Sequence, residues 1–228
     1  MTMADEAYQP TDRRPIASRD HQFWQKMANW LAARHVSPNS ISIAGMVAGI
    51  AAGVLLVATG FAANPWLQHG LWLAAAAGIQ LRLIANMLDG MVAIASQRAS
   101  QLGELYNELP DRVSDAAIII GAGYAVGGQP TLGYIATCIA ILTAYVRAVG
   151  KAAGVSDLFV GPMAKPHRMF VLTLVAVLMA ALPQPWRPCW GDQHAGLATL
   201  GLAVIIAGGL LTLFRRLALI IAHLRKTK

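Results

Sequence analysis

Apolar runs of bilayer-spanning length recur along this chain, separated by connections rich in proline, glycine and charge. A run of about 20 apolar residues, wound as a helix, crosses the hydrocarbon core of a membrane. Six such helices are predicted, over residues 41–61, 70–96, 103–126, 132–153, 168–182 and 197–221. The first and last are apolar throughout. The second, third and fourth turn polar at one end, and the fifth is short. Residues 20–35 follow another rhythm. Phe23, Met27, Trp30, Leu31 and Arg34 recur at three- and four-residue steps, with Trp24 at the edge of the stripe and Asp20, Gln25 and Lys26 off it. That pattern predicts an amphipathic helix lying in the membrane interface, its tryptophans at headgroup depth. Ser37-Pro38 reads as an N-cap followed by proline at the first helical position, opening the first span. Residues 1–19 carry Pro10, Pro15 and scattered charges without periodicity, which predicts a disordered tail ahead of one membrane domain, 20–228. The expected fold class is therefore an all-α integral membrane protein of six transmembrane helices preceded by an interfacial helix.

Composition agrees. Hydrophobic residues make up 56% of the chain and charged residues 13%, with mean hydropathy +0.51, whereas soluble domains carry about 25% charged residues. The basic residues set the orientation. Arg13, Arg14, Arg19, Lys26 and Arg34 precede the first span, Arg98 follows the second, Lys151, Lys165 and Arg168 follow the fourth, and Arg215, Arg216, Arg225, Lys226 and Lys228 sit at the tail. The other connections, near 62–69, 127–131 and 183–196, hold only Arg187. This alternation places both termini and the polar ends of the spans in the cytoplasm, as in a bacterial inner membrane protein. A formal net charge of +7 is accounted for by anchoring to anionic lipid, and no cluster of aromatic and basic residues points to nucleic acid. Cys138 and Cys189 fall on opposite sides of a half-membrane, so neither a disulfide nor a metal-ligand spacing is expected. Residues 1–20 have no apolar core of the kind a signal peptide needs.

Against that apolar background one stretch stands out. Only 11 residues are Asp or Glu, yet Asp89, Glu104, Glu108, Asp111 and Asp115 fall within 27 positions. An ionisable group inside a span costs about 2.5–3.5 kcal/mol on insertion scales, which makes a functional site the default reading. Arg82, Asn86, Asp89 and Ala93 form one helical stripe, and Glu104, Asn107, Glu108, Asp111 and Asp115 form another on the next helix. Two stripes on consecutive antiparallel helices, joined by a short loop near Arg98, can face each other, whereas a solvated loop has no reason to keep helical spacing. Clustered oxygen ligands without Cys or His suit a hard cation such as Mg2+, Mn2+ or Ca2+. Gly90, directly after Asp89, removes a side chain where a ligand would approach, and Ala93 and Gly103 keep the facing surface thin. For Gly103, close helix packing is an equal reading.

The arrangement resembles the CDP-alcohol phosphotransferase family. Its motif, D-x2-D-G-x2-A-R-x8-G-x3-D-x3-D, lies over the second and third of six membrane helices. The same register here reads Asn86-x2-Asp89-Gly90-x2-Ala93-Ile94-x8-Gly103-x3-Asn107-x3-Asp111. Ser37-Pro38-Asn39-Ser40-Ile41-Ser42 is similar to the family's helix-opening Pro-Asn element. Tyr145-Val146-Arg147-Ala148 and Lys165-Pro166-His167-Arg168 are similar to segments of the branch that makes phosphatidylglycerol phosphate and phosphatidylinositol phosphate. The likeness covers roughly residues 20–222.

In the family, four aspartates hold two divalent cations that bind the CDP diphosphate, and the last is the proposed general base. The resemblance thus implies Asp89 and Asp111 as ligands of Mg2+ or Mn2+, one or two ions, with Asp111 also the base. Asn86 and Asn107, at the first and third aspartate positions, still offer carbonyl oxygens but have lost two charges, which Glu104 and Glu108 on the same stripe are placed to restore. Gly90, Ala93 and Gly103 would border the nucleotide. Ile94 replaces the family arginine, and Arg98, Arg82 and Arg112 are candidate substitutes for its phosphate contact. Arg147, Lys151 and Arg168 would hold a phosphorylated acceptor, although Lys151 and Lys165 read more simply as positive-inside anchors.

The expected activity is transfer of a phosphatidyl or other substituted phosphoryl group from a CDP-linked lipid, such as CDP-diacylglycerol, to an alcohol, with release of CMP. A homodimer is implied by the resemblance alone. The replacements at Asn86, Ile94 and Asn107 also define a second reading, an inactive relative that binds nucleotide or lipid as a membrane partner. A transporter would need polar positions running to the far side, where the spans are almost wholly apolar, and no inverted repeat is present.

Overall fold

Prolines open four of the helices. The computed structural model describes residues 21–97, 101–155, 160–183, 187, 189–190 and 195–226, with only the backbone described at 101, 102, 104, 107, 189 and 190. The tail 1–19 and Arg98 therefore lie outside the described residues. Helix α1 (Gln22–Ala33) is followed by α2 (Pro38–Thr59), α3 (Pro65–Ala95), α4 (Gln101–Tyr124), α5 (Pro130–Ala152), α6 (Lys165–Ala181) and α7 (Leu197–Lys226). Pro38, Pro65, Pro130 and Pro166 fall in the first turns of α2, α3, α5 and α6, where the missing N–H has no helical partner to lose. Ser37 Oγ accepts from Ser40 N at 3.1 Å and Asn64 Oδ1 from Trp66 N at 2.9 Å, so α2 and α3 also begin with the side-chain caps their sequences offer.

Helices stand at the six places where spans were expected, and α1 covers the amphipathic segment. The fifth begins three residues before the predicted 168, at Lys165, because Pro166 opens it. By length and composition α2, α3, α5 and α7 are able to cross a membrane. One feature departs from an all-α chain: Cys189–Trp190 (β1) and Ala195–Gly196 (β2) pair antiparallel just before α7.

The helices pack in a closed order, α2 on α3, α3 on α6, α6 on α7, α7 on α5, α5 on α4 and α4 back on α2. Small residues make the tightest of these contacts possible. Ser42, Gly45, Gly49, Ala52 and Gly53 line the buried face of α2, and a Cβ at Gly53 would stand 2.4 Å from the carbonyl oxygen of Ala117 on α4. Below them Leu56, Trp72, Ile79, Ile118, Ile119, Met169, Leu172, Met179, Leu202 and Ile205 form the apolar centre. At the far end Gly127, with φ +71°, lets its carbonyl accept from Gly196 N and Thr199 N, both at 2.9 Å, and ties the α4–α5 turn to the start of α7. Helix α1 lies against the other end, Ala28 packing with Leu88 and Val92 of α3 while Phe23 and Trp30 are exposed. Contacts between α3 and α4 are sparse, and long polar side chains fill the space between them.

Candidate active site

Arg82 organises the polar end of the bundle. It belongs to α3, is 1% exposed, and reaches across to α4. Its Nη2 lies 2.8 Å from Asp111 Oδ1 and 2.8 Å from Asp115 Oδ1, and its Nε donates to Ser114 Oγ at 2.9 Å. A planar guanidinium with five donors suits such a shared role better than an ammonium would. Asp111, Ser114 and Asp115 follow one another at three- and one-residue steps, so one turn of α4 presents all three. Asp115 also meets Arg168 of α6, whose Nη2 donates to Oδ2 at 3.2 Å while Nη1 donates to Met163 O at 3.2 Å. Arg82, Asp115 and Arg168 are each 3% exposed or less.

Asp111 is the meeting point of three elements. Asn86 Nδ2, one turn beyond Arg82 on α3, donates to its Oδ2 at 3.2 Å. Lys165, the first residue of α6, forms an ion pair with the same Oδ2 and donates to Asn86 Oδ1 at 2.6 Å. The two contacts of Asn86 fix which way its amide points. Lys165 arrives there because the segment before it is pinned. Met163 N donates to Thr212 Oγ1 at 2.9 Å, and Arg216 of α7 donates to Val160 O at 3.2 Å and Thr143 O at 2.7 Å.

Asp89 lies one turn further along α3 and is 3% exposed. Its Oδ2 accepts from Ser42 Oγ and its Oδ1 from Gly90 N, both at 2.6 Å, so Ser42 of the helix-opening segment is a partner of the aspartate at the second motif position. Beside it a Cβ at Gly90 would meet nothing within 4 Å. The surface of α3 is open there.

The structure brings Asn86, Asp89 and Asp111 to one end of the bundle, with Gly90 and the half-buried Ala93 beside them. Glu108 goes elsewhere: it pairs with Arg112 one turn on and accepts from Arg147 Nη2 of α5 at 2.5 Å, at the exposed rim. The side chains of Glu104 and Asn107 are outside the described residues, and Gly103 is half-buried. Lys151 is exposed at the end of α5. Arg168 is buried on Asp115. Among the described residues no group of three or more His, Cys, Asp or Glu gathers to hold a metal. The residue that hydropathy and charge placement misjudged is Lys165, read as an anchor and found largely buried against Asp111. A lysine in the first turn of a helix, against the dipole, was the available signal.

A membrane-embedded helical bundle with a carboxylate, carboxamide and cation site at one end defines the class. The CDP-alcohol phosphatidyltransferase model matches residues 35–223, and the chain belongs to that family. It is a transferase and an integral membrane protein. Among curated relatives, the inner membrane protein YnbA of Escherichia coli is 27% identical over 171 residues, covering 75% of this chain and 81% of the relative. The phosphatidylinositol phosphate synthase of Cutibacterium acnes is 28% identical over 169 residues, covering 70% and 76%. The Mycobacterium tuberculosis phosphatidylinositol phosphate synthase PgsA1 shares the fold. Its crystal structure with CDP-DAG bound gives a TM-score of 0.69 at 18% identity, covering 88% of this chain and 94% of that one. Its complex with manganese and citrate gives 0.68 at 19%, covering 86% and 88%.

Proposed function

We propose that this chain transfers a phosphatidyl group from CDP-diacylglycerol to an alcohol, releasing CMP, at the site between α3, α4 and α6. The observation that carries the reading is the meeting of Asn86 and Asp111 across two helices, beside the open face at Gly90. The relatives named for phosphatidylinositol phosphate synthesis, and the CDP-DAG bound in PgsA1, support this donor. Asp89 and Asp111 are hard oxygen donors of the type Mg2+ and Mn2+ take, diphosphate oxygens and water would complete the coordination, and Asn86, whose carbonyl accepts from Lys165 in this structure, stays proposed as a further ligand. Asn107, Glu104 and Glu108 remain proposed as further ligands. When bound, the cation supplies charge neutralisation of the diphosphate and stabilises the departing CMP.

The chain's own residues do the rest. Gly90, Ala93 and Gly103 give the nucleotide close access to helix backbone, and Arg98 remains proposed as the phosphate contact that the family arginine would have made. Arg147, Lys151 and Arg168 make the acceptor end basic, which favours an anionic alcohol such as a sugar or polyol phosphate. Asp111 takes the proton from the acceptor hydroxyl as its oxygen forms a bond to the β-phosphorus. The bond from that phosphorus to the bridging oxygen breaks, and the oxygen leaves with CMP. Arg82 and Lys165 hold the Asp111 carboxylate in place until it is used. In the bilayer, α4 and α6 join the four apolar helices to give six spans, with α1 at the interface, both termini and the site cytoplasmic, and the active unit a homodimer. The tail 1–19 is taken to lie outside the membrane domain 20–228.

The test is Asp111→Asn. A general base is worth about two to four orders of magnitude in rate, so CMP release from CDP-diacylglycerol with Mg2+ and a panel of alcohol acceptors should fall at least a hundredfold. Wild-type turnover in that variant would remove Asp111 from the role. Wild-type protein that binds CDP yet releases no CMP with any acceptor would favour the non-catalytic alternative, which the replacements at Asn86, Asn107 and Ile94 motivate.

A further inference from the structure

Where the family register has aspartates, Asn86 is neutral, and of the two acids placed to restore the lost charge, Glu108 is engaged by Arg112 and Arg147, while the Glu104 side chain lies outside the described residues. What stands between Asn86 and Asp111 is a cation that belongs to the chain. Lys165 Nζ donates to Asn86 Oδ1 at 2.6 Å and pairs with Asp111 Oδ2. We propose that the Lys165 ammonium is a resident cation of this site, seated between Asn86 and Asp111, and that it limits the chain to a single divalent ion, held on the Asp89 side. This rests on the metal-dependent reading above and refines it.

Three arguments converge. The first is charge. Asp89, Asp111 and Asp115 are faced by Arg82, Lys165 and Arg168, three carboxylates against three cations, so the cluster is balanced without added ions. One divalent ion is matched by the incoming diphosphate. A second would add two positive charges to a largely buried, low-dielectric region, next to an ammonium, and like charges there repel strongly. The second is ligand type. An asparagine carbonyl accepts from an ammonium as readily as from water, whereas a carboxylate at that position would draw a divalent ion. The Asn86 amide is oriented to use both ends at once, its nitrogen on Asp111 and its oxygen on Lys165. The third is placement. Lys165 is the first residue of α6, where the helix dipole disfavours a cation. Anchoring at a membrane surface needs no such position, and the pinned 160–164 segment delivers the side chain inward instead of toward solvent.

The experiment counts ions. Full-length protein in detergent, saturated with CDP and Mn2+, is separated from free metal. It is then read by elemental analysis and by electron paramagnetic resonance, in which two ions about 3.5–4 Å apart couple magnetically. One uncoupled Mn2+ per chain is expected for wild type, and one again for Lys165→Arg. The double variant Lys165→Met/Asn86→Asp, which removes the resident cation and restores a carboxylate, should bind two coupled ions. Two coupled ions in wild type would overturn the proposal while leaving the transferase reading intact. So would a folded double variant that still takes one. No Mn2+ uptake by CDP-loaded wild type would overturn the divalent-metal reading itself, and this proposal with it. The wild-type count stands whether or not the double variant folds.

Discussion

Arg82 shows how much one residue can carry in a membrane bundle. Its single guanidinium compensates Asp111 and Asp115 and bonds Ser114, at 1% exposure. Removing one partner of a buried ion pair leaves a charge without compensation and costs about 3–5 kcal/mol, far more than the intact pair is worth against an apolar substitute. Arg82→Met should therefore lower the thermal unfolding midpoint of the detergent-solubilised protein sharply. Arg82→Lys, which keeps the charge but cannot reach three partners at once, should fall between. An unchanged midpoint in Arg82→Met would mean that Lys165 and Arg168 suffice. The sequence shows Arg82 and Asp115 on the two polar stripes, but helical spacing alone does not say which stripe residues pair with each other. Lys165 was harder still. Its partner Asp111 is 54 residues away, and the rule that places basic residues in the cytoplasm treats every lysine alike.

At the scale of elements, the site depends on how closely α2 approaches α4. Ser42 of α2 holds Asp89, and the Gly49 face of the same helix touches Ser114, next to Asp115 on α4. The approach is set where Gly53 and Gly121 meet: a Cβ at Gly121 would stand 2.4 Å from the carbonyl oxygen of Gly53. Because the obstacle is backbone, no rotamer change relieves it, and the helices must part. Overpacking of this kind costs about 1–3 kcal/mol, so Gly121→Ala should lower the melting temperature and weaken CDP-dependent thermal protection together. Gly70→Ala, where nothing lies within 4 Å, is the control and should be neutral or slightly stabilising. A Gly121→Ala protein as stable as the Gly70→Ala control would refute the close-contact argument. The helices themselves were readable from hydropathy, because length and apolarity are properties of a contiguous segment. Their mutual approach was not. Small residues serve helix packing and ligand access alike, and only the structure separates Gly53 and Gly121, which touch backbone, from Gly90, which faces open space.

The whole molecule has a direction. The polar site lies at one end of the bundle, with α1, the start of α6 and the C-terminal part of α7, while the β1–β2 pair and the Gly127 turn lie at the other. The alternation of Lys and Arg predicts that the first end faces the cytoplasm. Helix α5 offers the cleanest test because it is long and apolar enough to cross a membrane. From residue 131 to residue 153 it rises about 33 Å at ~1.5 Å per residue, enough to cross a hydrocarbon core of about 30 Å. Thr131 and Ala153 are both exposed. In a background lacking Cys138 and Cys189, Thr131→Cys should react with a membrane-impermeant maleimide added to intact cells. Ala153→Cys should react only after permeabilisation. The same asymmetry should hold for CMP release, which in sealed vesicles must appear on the side where Ala153→Cys is labelled. Labelling of Ala153→Cys from outside would invert the topology, and with it the side on which the acceptor must arrive.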